Sequence, residues 1–287
     1  MDAKTLILLA LQFAIMGTVF TYGLEATRDD LLYVVRRPGL LVRSLLSVLV
    51  IVPLVIVGCI YFLELPQPTA VVLTALAISP VPPLLPQKQK KAGGVAPYGL
   101  GLLVVLALVS IVTVPLSIKF FNWLFAQPVA MAPGAITQIV LKMIIAPLAV
   151  GMLVARFAPQ AVPRLLAPVR RIATLLLFAG ALVLLAGTWR VTLAATGQWT
   201  VVAIVCFVLA GLLIGHWMGG PQPEHASVLA LSSASRHPAI ALAMAAGNFP
   251  NEQFAPTLLL YLILCTILAI PYVKWQRSRA AQSTLTP

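Results

Sequence analysis

Nine apolar runs follow one another along the 287 residues, at about 4–24, 40–62, 68–87, 97–125, 133–156, 169–188, 197–218, 224–247 and 255–276. Each matches the roughly 20 residues a helix needs to cross the hydrocarbon layer of a bilayer. No Asp or Glu lies in the interior of any of them. With 61% hydrophobic and 9% charged residues and a mean hydropathy of +1.02, the chain cannot be a water-soluble globule of this size. A membrane β-barrel is excluded too, because its strands alternate apolar and polar residues. The expected fold is an all-α polytopic membrane protein of about nine transmembrane helices. The first run has no small-residue cleavage site before Gly17 and reads as a retained span.

The net charge of +12 does not indicate nucleic acid, since no basic stripe or aromatic-interleaved module accompanies it. It follows topology instead. Short loops rich in Lys and Arg stay on the cytoplasmic side. Arg28, Arg36, Arg37, Arg43, Lys88, Lys90, Lys91, Arg156, Arg164, Arg170, Arg171, Lys274, Arg277 and Arg279 fall on one side; Lys4, Lys119 and Arg190 fall on the other. Fourteen against three predicts a cell (inner) membrane protein with its N-terminus outside and its C-terminus cytoplasmic. Cys59, Cys206 and Cys265 sit far apart inside apolar runs, without metal-ligand spacing.

Two runs cannot be ordinary helices. The third contains Ser79-Pro80-Val81-Pro82-Pro83-Leu84-Leu85-Pro86, and the eighth contains Ser235-Arg236-His237-Pro238. Each proline removes a backbone donor and frees the carbonyl four residues earlier. Ser79 lies about 16 Å along its helix at 1.5 Å per residue, near the middle of the bilayer, and Arg236 lies at a similar depth. Freed backbone groups at that depth are tolerated only against protein or a water-filled cavity. The following run in each half carries an interior proline, Pro115 and Pro271, at spacings of 35 and 33 residues. Two inverted repeats are expected, residues 1–125 and 133–276, followed by a cytoplasmic tail, 277–287. Paired interruptions in inverted halves point to a midplane binding site.

The candidate binding residues are therefore Arg236, His237, Ser232, Ser233, Ser235, Ser79 and Pro80, with Pro82, Pro83, Pro86 and Pro238 as helix breaks. A charge at mid-bilayer costs at least about 2.5–3.5 kcal/mol and must face a cavity or a partner. Arg236 has no acid in any span to pair with, so a bound anion or backbone carbonyls must serve it. His237 reads equally as a proton-sensitive group or as a hydrogen-bonding core residue. The serines can offer hydroxyls to a substrate or bond carbonyls one turn back. Lys142 is expected to snorkel to the interface. No acid is available to orient His237 for a serine hydrolase, and no residue pattern calls for a catalytic group, a metal or a cofactor. The expected function is secondary transport of a small organic anion through the lipid bilayer. The alternative is a non-transporting membrane protein or a membrane enzyme on a degenerate transporter fold.

Phe20-Thr21-Tyr22-Gly23-Leu24 with Arg37-Pro38, the proline-broken third run followed by Ala92-Gly93-Gly94, and Ser232 to Ala243 resemble the bile acid:sodium symporter family over nearly the whole chain. Family members have ten helices in two inverted five-helix repeats, and this chain is similar to the version lacking the first. The resemblance implies a core of helices 2–4 and 7–9, with helices 3 and 8 crossing at their breaks. It also implies a separate panel of helices 1, 5 and 6 that moves against the core. The family's helix-8 motif Glu-x-Gly-x-Gln-Asn is replaced by Ser232, Ala234, Arg236 and His237, and its Pro-Gly-Gly and Ser-Asn by Pro80-Val81-Pro82 and Leu85-Pro86. The acid and amides that would hold sodium are absent at these positions.

Overall fold

The computed structural model describes residues 3–63, 65–125, 133–194, 197, 199–249 and 253–283, and the regular elements among them are all helical. In chain order they are α1 (Ala3–Glu25), α2 (Arg28–Leu32), α3 (Pro38–Phe62), α4 (Gln67–Ile78), α5 (Leu85–Lys91), α6 (Ala96–Phe125) and α7 (133–157). A single 3-10 turn leads to α8 (Val162–Ala194), α9 (Thr200–Met218), α10 (Pro223–Ala234), α11 (Pro238–Asn248) and α12 (Ala255–Ser283). Each of the nine apolar runs is helical: seven as one helix, the third as α4 and α5, the eighth as α10 and α11. Among the described residues, six helices are long and apolar enough to cross a membrane, namely α3, α6, α7, α8, α9 and α12. Shorter apolar stretches occupy Leu9–Glu25 of α1 and all of α4. Glu64, Glu252 and residues 284–287 of the expected tail lie outside the described residues.

Proline opens α3, α10 and α11, where its missing amide costs nothing and its fixed φ suits the first turn. Before α2, Thr27 and Asp30 form a reciprocal cap, the Asp30 amide donating to Thr27 Oγ1 and the Thr27 amide to Asp30 Oδ2. Just past the end of α5, Gly93 has a φ of +80°, which is strained for any residue with a side chain. Two long helices carry a five-residue π-turn, Ser47–Ile51 in α3 and Leu141–Ile145 in α7, each followed by one residue and then a proline, Pro53 or Pro147. Such turns widen the helix and leave carbonyls unpaired.

Small residues let the helices close on one another, as they do when no hydrophobic effect drives association between helices in lipid. Helix α1 packs along α7 and α8. A Cβ on Gly23 would run into the Leu148 carbonyl, and one on Gly151 into that of Phe20. Helix α9 packs along α10, α3 and α12. Its Gly211, Gly215 and Gly219 meet the α10 backbone at Ala234, Ala230 and Ala226, four residues apart on each helix. One buried cluster, including Val48, Val52, Ile56, Leu76, Phe207, Leu229 and Tyr261, surrounds the two breaks. Helix α8 instead exposes Leu175, Phe178 and Leu182 on its outside. The two described ion pairs, Arg36–Asp29 and Arg170–Glu25 at 2.6 Å, are exposed and stabilise by at most about 1 kcal/mol each. Lys88, Lys90, Lys91 and Lys142 are exposed as well.

Candidate functional site

The third run breaks where the prolines say it must. Ser79 closes α4, its amide and hydroxyl both donating to the Ala75 carbonyl at 3.1 and 2.6 Å. Pro80, Pro82 and Pro83 bring no donor to the stretch that follows, and the chain turns into α5 with Pro86 in its first turn. In the eighth run α10 stops at Ala234, because the amide that would continue the helix onto the Ala234 carbonyl belongs to Pro238 and does not exist. The Tyr261 hydroxyl of α12 donates to that carbonyl at 3.0 Å and accepts from the Arg236 amide at 2.8 Å. One phenol thus replaces a turn of backbone bonding.

The two breaks meet. The His237 amide donates to the Pro80 carbonyl at 2.8 Å. Gln89 of α5 adds a second tie, its Nε2 donating to Ser232 Oγ at 2.8 Å and to the Val228 carbonyl at 3.0 Å. Ser233 Oγ shares a hydrogen bond of 2.7 Å with Ser47 Oγ, at the start of the α3 π-turn. Ser235 Oγ lies 3.8 Å from Cys265 Sγ. The seven candidate binding residues, Ser79, Pro80, Ser232, Ser233, Ser235, Arg236 and His237, are all buried around this junction, as are Pro83 and Pro86; Pro82 and Pro238 are half-buried. The hydroxyls of Ser79, Ser232, Ser233 and Ser235 are engaged with protein partners, so they hold the junction together in this conformation.

Arg236 is 1% exposed. Its Nη2 donates to the Val48 carbonyl at 2.8 Å, and its guanidinium lies 5.9 Å from the Phe207 ring centroid, with Phe207 stacked on Tyr261. Nε and Nη1 have no hydrogen-bond partner, and neither do the two ring nitrogens of His237. The described carboxylates, Glu25, Asp29, Asp30 and Glu224, are all at least partly exposed, so none neutralises Arg236. An uncompensated buried charge costs several kcal/mol. The free nitrogens, together with the second hydrogen of Nη2, form a planar fork of the shape that grips a carboxylate through two parallel bonds.

Ser47, Val48, Gln89, Phe207 and Tyr261 belong to this site and carry no local signal in the sequence. No acid, motif or spacing sets them apart, and only the packing of α3, α5, α9 and α12 around α10 makes them neighbours. Tyr261, inside the ninth apolar run, is the one hint, since its hydroxyl needs a partner there; Gln89 sits past the third run among lysines.

No curated protein matches the chain. The model of the Sodium Bile acid symporter family matches residues 12–188, from α1 to most of α8, taking in the α3 π-turn and the first break. With that match covering more than half of its length, the chain belongs to the sodium bile acid symporter family.

Proposed function

We propose that this multi-pass membrane protein is a secondary transporter of a small organic anion, working by alternating access around the junction of the two broken helices. The observation that carries the reading is Arg236, a permanent cation 1% exposed, with two guanidinium nitrogens unpartnered and no carboxylate among the described residues to pair with. The substrate's anionic group takes that fork, and the His237 ring offers one donor and one acceptor beside it.

Nine crossings in two inverted repeats, 1–125 and 133–276, place both breaks at mid-bilayer, with the N-terminus outside and the 277–287 tail in the cytoplasm. The packing supports a division of labour. Helices α1, α7 and α8 form the moving panel, and α3 to α6 with α9 to α12 form the core. A group held at the breaks is exposed to each side in turn as the panel shifts, which is transport rather than catalysis.

Counterflow in proteoliposomes, run against a panel of organic acids, tests the proposal. Wild-type protein should exchange at least one acid, Arg236→Ala should abolish that exchange, and Arg236→Lys should keep a fraction of it because the charge survives without the fork. Undiminished exchange by Arg236→Ala would remove the anion from this site.

A further inference from the structure

The residue that aims Arg236 lies on another helix. In an α or a π register the Val48 carbonyl takes its bond from the amide of residue 52 or residue 53. The Val52 amide closes the π-turn by bonding to the Ser47 carbonyl. Residue 53 is a proline and has no amide hydrogen. Val48, Val52, Pro53 and Arg236 are all buried, so no bulk water reaches the carbonyl, and Arg236 Nη2 meets it at 2.8 Å. The adjoining Ser47–Ser233 bond holds the same turn against α10.

We infer that Pro53 is a positioning residue for Arg236: by withholding an amide it keeps the Val48 carbonyl free, and that carbonyl anchors one arm of the guanidinium and turns the remaining fork toward the substrate's anionic group. This rests on the reading of Arg236 as the anion-holding group. A carbonyl anchor suits the task better than a carboxylate. It fixes the direction of the guanidinium without neutralising it, so the positive charge stays available to an incoming anion.

Pro53→Ala restores the donor. Either the new amide bonds to Val48 or α3 relaxes to the regular register, in which the Val52 amide does; both take one lone pair and turn the carbonyl toward the helix axis, which weakens its bond to Arg236. The test is hydrogen exchange at the Arg236 side chain, followed by magnetic resonance of nitrogen-labelled arginine in detergent-solubilised protein. The Arg236 signals are those missing from Arg236→Lys. In Pro53→Ala the protected Nη2 hydrogen should exchange at least about tenfold faster, as expected for losing one hydrogen bond to a charged group. The melting temperature should hold or fall, because the helix bond gained is offset by the bond lost from the buried Arg236 guanidinium. An ester variant with lactic acid at position 53, introduced by nonsense suppression, lacks the amide hydrogen without the proline ring, and it should keep wild-type protection. Unchanged protection in Pro53→Ala would overturn the inference, as would an ester variant that exchanges as fast as Pro53→Ala. The readout involves no substrate, so its outcome is separate from that of Arg236→Ala in counterflow.

Discussion

The backbones of His237 and Pro80 are joined by a hydrogen bond of 2.8 Å across 157 residues of sequence. Each group is available because proline has broken the helix around it. His237 has a φ of −77°, which a proline can adopt. His237→Pro therefore keeps a φ that the chain already has but deletes the donor and puts its ring Cδ against the Pro80 oxygen, so the junction must open and that carbonyl loses its partner. The expected loss is at least about 1–3 kcal/mol, measured by thermal unfolding in detergent. His237→Ala keeps the amide and should lose less. Equal losses from both variants would mean that the imidazole, not the backbone, ties the breaks together.

The α9–α10 contact makes a second prediction. Gly215 lies against α10 so closely that an added Cβ would fall 2.6 Å from Ala230 Cα, whereas a Cβ on Gly187 meets nothing within 4 Å. Gly215→Val must push α10 away and with it the segment carrying Arg236, at a cost of roughly 1–3 kcal/mol or more. Gly187→Val should stay within about 0.5 kcal/mol, as for other substitutions on an open surface. Comparable melting temperatures for the two variants would show that α9 and α10 do not depend on this stripe.

Helices and breaks were legible in the sequence because their causes are local. Runs of apolar residues and clusters of prolines act through their own backbone, so the nine runs and the interruptions at Ser79–Pro86 and Ser235–Pro238 needed no tertiary information. Arg236 was legible for a different reason, a charge with no acid in any span. Its anchor was not. The Val48 carbonyl has no side-chain signature, and Pro53 alone reads as an ordinary kink until the Val52–Ser47 bond shows which carbonyl it has freed. Tyr261 and Gln89 were hidden in the same way, since their partners come from other helices. The Gly211-Gly215-Gly219 stripe and its alanine counterpart were written plainly at four-residue spacing, but their pairing belongs to the fold.

The third prediction concerns orientation. Fourteen loop and tail cations assigned to one side predict a cytoplasmic C-terminus. In a variant lacking Cys59, Cys206 and Cys265, a cysteine at Ala281 should react with a membrane-impermeant reagent in inverted vesicles and not in intact cells. Labelling from outside intact cells would reverse the topology and change the number of crossings.

The last prediction concerns coupling. In the family resemblance, an acid and amides in the eighth helix gather sodium; here those positions hold Ser232, Arg236 and His237. The expectation is that Arg236 acts as a tethered cation in place of the ion. A sodium ion about 4 Å from a fixed positive charge is repelled by about 4 kcal/mol at an effective dielectric of about 20, roughly a thousandfold in affinity. Ser47, Ser232 and Ser233 offer hydroxyl oxygens but no negative charge to offset that. Uptake into proteoliposomes should therefore proceed equally with sodium, potassium or choline as the external cation. Arg236→Gln should not bring sodium dependence back, because the carboxylate at position 232 is still missing. Saturable activation by sodium in the wild-type protein, with uptake driven by an inward sodium gradient, would show that the ion binds elsewhere and that Arg236 serves the substrate alone.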